Sequence, residues 1–148
     1  VSNKLVAATI AVFLIVLAGA GMYMANVYAE RNRFTPEKIF TKAFDEDVLR
    51  AEHLEGTKDD STQYDVRLHF KYPHEPKPFN DSQYKGGWYM EARNWFNERY
   101  PNEKALQEMD FLKFKQRQIN ETTLVTNEWI LYNPHTDDVY YRVFGTAR

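Results

Sequence analysis

Between Lys4 and Glu30 the chain carries no charged side chain, and from Leu5 to Ala25 only Thr9 and Tyr23 bear polar side-chain atoms. At about 1.5 Å per residue a helix over 5–25 rises roughly 32 Å, which matches a bilayer hydrocarbon core of about 30 Å. The run predicts a membrane-spanning helix. The polar stretch 26–33 can extend it by a turn or two, with Tyr23 and Tyr28 near the interface. Val27-Tyr28-Ala29 has the small residues of a signal cleavage site, but the apolar run exceeds the roughly 7–15 residues of a signal peptide's core. Retention as an anchor is therefore expected, with residues 1–29 as transmembrane anchor plus short tail and 30–148 as one soluble domain.

After the span the pattern changes. Thr35-Pro36-Glu37 supplies a cap, a proline at the first helical position and an acid in the first turn, and Ile39, Phe40, Ala43 and Phe44 form an apolar stripe. The stretch 48–54 fits a continued helix or a strand with Leu49, Ala51 and His53 on one face. Turn-rich 55–61 behind it favours strand and a hairpin loop. Tyr64, Val66, Leu68, Phe70 and Tyr72 then alternate with Asp65, Arg67, His69 and Lys71, a strand with one buried and one wet face.

Pro73, Pro76 and Pro78 make 73–81 an extended crossing segment. Beyond Gly86-Gly87, a helix is expected from about residue 87 to Pro101, with Trp88, Tyr89, Ala92, Trp95, Phe96 and Tyr100 on one broad face. Asn102 can cap a further short helix through Met109. Three strands, 111–119, 123–132 and 139–144, close the chain as a meander joined by turn chemistry. The expected fold class is α+β: an N-terminal transmembrane helix followed by a small domain of about five antiparallel strands packed on one main helix.

Charge changes the picture little. Residues 30–148 hold all 21 acidic side chains and 18 of the 19 basic ones, a net charge of −3. With no polybasic stretch, nucleic acid is not an expected partner; Lys113, Lys115 and Arg117 read as a solvated strand face. The absence of cysteine excludes a disulfide framework and thiolate chemistry. Sidedness is contested. Arg31, Arg33, Lys38 and Lys42 behind the span favour a cytoplasmic domain, whereas a short basic tail before a long apolar run is the layout of an uncleaved signal. The second pattern is favoured, which places the domain outside the cytoplasm.

Catalytic constellations are not apparent. His53, His69, His74 and His135 show none of the short spacings of a metal pair, and His69 belongs to the charged strand face. Serines 2, 61 and 82 lie in no Gly-framed elbow, and Gly86-Gly87 lacks the rest of a phosphate loop. The acidic pairs Asp45/Asp47 and Asp59/Asp60 sit on polar loops, where carboxylates stay ionised. No catalytic residue, metal or cofactor is therefore expected, and the chain is not read as an enzyme. Asn80-Asp81-Ser82 and Asn120-Glu121-Thr122 match a glycosylation tripeptide and carry no assigned role.

The span itself holds the clearest functional clue. Ala7, Ala11, Ala18, Gly21 and Ala25 fall on one helical stripe, and small stripes let helix backbones approach closely in lipid. The expected function is a non-catalytic accessory, scaffold or assembly subunit of a membrane complex. Its expected partners are the bilayer and other membrane subunits or a second copy. The alternative is a tethered domain that takes a ligand or peptide in a cup walled by Trp88, Tyr89 or Trp95. A membrane-anchored enzyme comes third.

Overall fold

A computed structural model describes residues 2–59 and 64–147, and the chain divides into two compact units with the boundary after Phe34. The first unit is helix α1, Asn3–Asn32, about 45 Å long at the standard rise. Ser2 caps it by accepting the Lys4 N–H at 3.3 Å. Its side chains from Leu5 to Tyr28 are exposed all round, and α1 is long and apolar enough to cross a membrane.

The second unit is α+β. Helix α2, Pro36–Phe44, begins as its cap predicts: the Thr35 hydroxyl accepts the Lys38 N–H at 3.3 Å. It ends where Asp45 takes a left-handed conformation (φ 49°) and donates its N–H to the Thr41 carbonyl. Thr35→Ala removes the cap acceptor and is expected to lower the unfolding free energy by about 1 kcal/mol. A lowered urea midpoint with unchanged slope is the corresponding readout.

The segment after α2 departs from expectation. Asp47 accepts the Leu49 N–H at 3.0 Å and folds Val48–Arg50 into a 3₁₀ turn, so the strand begins only afterwards. Strand β1, Glu52–Asp59, runs through much of the stretch expected to be loop, and pairs antiparallel with β2, Asp65–Lys71. It is an edge strand that buries almost nothing, so it needs no apolar alternation to form. A bulge between Glu52 and Glu55 holds His53 at φ 54°. Of the expected hairpin loop, residues 60–63 lie outside the described residues.

The proline-rich crossing contains a 3₁₀ turn, Lys77–Asn80, and then bridges Lys85 to Gln116. Helix α3, Met90–Arg99, starts three residues later than its periodicity suggested. A Cβ on Gly87 would meet the Gln116 side chain at 2.5 Å, so this segment lies close against its neighbour before the helix begins. Helix α4, Lys104–Gln107, and a 3₁₀ turn, Met109–Phe111, lead to β3 (Lys113–Asn120), β4 (Leu124–Asn133) and β5 (Asp138–Ala147).

The five strands form one antiparallel sheet in the order β1-β2-β5-β4-β3. Both faces are covered, a departure from the single packing helix expected. On one face Leu68, Phe70, Ile130, Tyr132, Val139 and Tyr141 pack with Phe40 and Phe44 of α2 and with Tyr84 of the crossing segment. On the other, Leu131 and Tyr140 pack with Ala92 and Phe96 of α3 and with Ala105 and Leu106 of α4. The charged side of β2, read as wet, is half-buried for this reason.

Candidate functional site

The ladder sets His69 of β2 opposite Tyr140 of β5, and Lys71 opposite Asp138. Both pairs lie on the face that carries α3 and α4. The His69 ring stacks flat on Tyr140, centroids 4.4 Å apart and planes 4° apart, with Tyr100 tilted beside it. That leaves its two nitrogens to carboxylates: Nδ1 lies 3.2 Å from Glu55 Oε1 and Nε2 lies 2.8 Å from Asp138 Oδ1. Lys71 donates to the other Asp138 oxygen at 3.3 Å and to the Thr136 carbonyl at 2.9 Å. Glu103, in the loop between α3 and α4, accepts from the Tyr140 hydroxyl at 3.2 Å.

Electrostatics follow from this packing. Burial works against a charge on His69, but hydrogen bonds to Asp138 and Glu55 outweigh it and raise the imidazole pKa. Burial likewise works against the Asp138 carboxylate, but the hydrogen bonds from His69 and Thr136 and the His69 and Lys71 charges together outweigh it, so that pKa is lowered. Burial and the nearby Asp138 and Glu103 charges raise the Tyr140 hydroxyl, which therefore stays a donor. One ligand-capable atom each from His69, Glu103 and Asp138 lie within 4.8 Å of one another. They line a cavity of about 410 Å³ whose wall also includes His53, Lys71 and Lys104.

Further along the same face, Arg142 stands over Trp95 of α3 at 3.9 Å and over Phe144 at 3.8 Å while pairing with Asp65 through two hydrogen bonds of 3.1 and 2.7 Å. Arg99 also lies over Trp95, at 3.7 Å. Trp95 is thus engaged by two guanidiniums. Trp88 is 78% exposed and precedes α3, and Tyr89 is the residue before its first turn. None of the three lines the cavity at His69, nor a cavity walled by Asp45, Tyr72 and His74, nor one walled by Gln116, Asn127 and Trp129.

On the opposite face Arg117 is only partly solvated, where its strand pattern suggested a wet face. It pairs with buried Glu128, which also accepts from the Tyr84 and Tyr141 hydroxyls at 3.1 and 2.6 Å. Of the other histidines, His53 shares the cavity wall with His69, whereas His74 lies edge-on to Tyr72 and His135 contacts Glu108. Asp60 and Ser61 lie outside the described residues. Ala7, Ala11, Ala18, Gly21 and Ala25 are all exposed on α1, and a Cβ built on Gly21 meets nothing within 4 Å.

Sequence reasoning did not reach Glu103 or Asp138 as neighbours of His69. Asp138 lies 69 residues away and Glu103 sits between two helices, so only strand register and helix placement join them. Comparison with known protein families, curated proteins and solved structures gives no match.

Proposed function

We propose that this protein is a non-catalytic accessory or assembly subunit of a larger membrane complex. It is anchored by α1, with the α+β domain on the extracytoplasmic side, and its partners are other membrane subunits or a second copy. The observation that carries this reading is α1 itself: an apolar helix exposed on every side, with Ala7, Ala11, Ala18, Gly21 and Ala25 along one stripe. In lipid there is no hydrophobic drive between helices, so close backbone packing at small residues becomes a main source of association. The charged groups of the domain support the same reading, because Glu128, Arg142 and Asp65 are engaged by internal partners.

Gly21→Leu places a bulky side chain in the stripe without removing apolar character. Recovery of the complex after mild extraction is expected to fall severalfold, with α1 still inserted. Unchanged recovery would show that the stripe faces lipid.

A second reading is a tethered ligand-binding domain, favoured by the 78% exposure of Trp88 beside Tyr89. Under it, tryptophan fluorescence should respond saturably to a candidate peptide or small molecule, and Trp88→Ala should abolish that response. A Trp88→Ala variant that still responds would remove this reading.

A further inference from the structure

We propose that His69, Glu103 and Asp138 bind one divalent first-row transition-metal cation of the Zn²⁺ class in the cavity beside β2, β5 and the start of α4. Three separate elements converge there, and their ligand-capable atoms already lie within 4.8 Å of one another. Ligands of a tetrahedral Zn²⁺ stand roughly 3.4 Å apart, given metal–ligand distances of about 2.0–2.2 Å. Small side-chain rotations close the difference. The cavity of about 410 Å³ leaves room for water to complete the coordination shell.

The partners behind these groups point to a cation as strongly as the groups themselves. A metal-bound histidine ordinarily donates its other ring N–H to a carboxylate, which fixes the tautomer and aims the free nitrogen. Glu55 occupies that position at His69 Nδ1, 3.2 Å away, while Nε2 points toward Asp138 Oδ1. The stacked Tyr140 ring fixes the imidazole plane. Lys71 holds Asp138 Oδ2 while Oδ1 faces His69 Nε2, and the Tyr140 hydroxyl holds one oxygen of Glu103. Each ligand has its own orienting partner.

The donor set also selects the metal. Two carboxylates alone would suit Mg²⁺ or Ca²⁺, but these cations take oxygen ligands, and an imidazole nitrogen shifts preference to Zn²⁺ and to first-row ions such as Fe²⁺, Ni²⁺ or Cu²⁺. On binding, the metal takes the place of the Nε2 proton, which leaves to solvent. The bound ion then clasps β2 and β5 to the α3–α4 connection and requires no reaction of the domain.

The test is calorimetric titration of the chelator-stripped full chain in detergent with Zn²⁺, and separately with Mg²⁺, alongside Co²⁺ absorption. One Zn²⁺ per chain is expected, bound at least a hundredfold more tightly than Mg²⁺. His69→Gln and Glu103→Gln should each weaken Zn²⁺ by about tenfold to a hundredfold and reduce the visible Co²⁺ band. His74→Gln and His135→Gln should leave both unchanged. Glu103→Gln guards against misfolding, since among the described residues that side chain takes a single hydroxyl hydrogen bond in this cluster, and near-UV circular dichroism verifies the fold of each variant. No saturable 1:1 binding by the unmodified chain would overturn the proposal. So would native-like His69→Gln and Glu103→Gln variants that retain full affinity, or binding lost on removing His74 or His135 instead.

Discussion

Arg117→Ala is expected to lower the unfolding free energy of the domain by about 3 kcal/mol, because it strands a carboxylate that the fold has removed from water. Glu128 is 3% exposed. Its Oε1 takes the Arg117 guanidinium and its Oε2 accepts from both tyrosine hydroxyls, 3.1 Å to Tyr84 and 2.6 Å to Tyr141. Burial, reinforced by the Glu128 charge, raises the pKa of both tyrosines, so they remain neutral donors across the physiological range. Two neutral donors do not compensate a full buried charge. The loss lies at the low end for a broken buried pair because 24% of the Arg117 side chain meets solvent. Its stacking 4.4 Å over Tyr84 is lost as well. Pairing Arg117→Ala with Glu128→Gln should recover most of the stability, since the amide oxygen can still accept from a tyrosine without carrying charge. Denaturant titration of the single and double variants measures both effects. A double variant no more stable than Arg117→Ala would show that lost packing, and not the stranded charge, causes the damage.

Phe40→Ala should cost about 3–5 kcal/mol through lost burial and the cavity left behind. The Phe40 ring is fully buried and lies 5.2 Å from Phe44, 5.0 Å from Phe70 and 5.9 Å from Tyr72. It is the anchor by which the nine-residue α2 holds to the sheet. A helix this short is marginal without tertiary packing, so its amides should lose hydrogen-exchange protection before those of β4 and β5. Leu49→Ala, at a side chain 88% exposed, should stay within about 0.5 kcal/mol of the parent. Comparable losses for Phe40→Ala and Leu49→Ala would mean that α2 does not belong to the core.

Local signals along the chain anticipated much of this architecture. The alternation of Val66, Leu68 and Phe70 with charged neighbours marks β2, and the Thr35-Pro36-Glu37 start marks α2, because both depend on nearest-neighbour chemistry. The covered second face was hidden for the opposite reason. Asp65, Arg67, His69 and Lys71 carry the polarity of a wet face, yet Asp65 meets Arg142 77 positions away and His69 meets Asp138 69 positions away. Charges neutralised by distant partners look identical, in sequence, to charges neutralised by water. β1 was misplaced because an edge strand owes its existence to pairing with β2 and shows no apolar period of its own. The His69 cluster was missed on the same grounds: Asp138 reads as a turn residue and Glu103 as loop until the register brings them together.

The proposed subunit role is tested most directly by the native mass of the full chain after extraction in several mild detergents. Co-migrating membrane subunits, or a stable second copy, are the predicted result. A clean monomer in every mild detergent would contradict it.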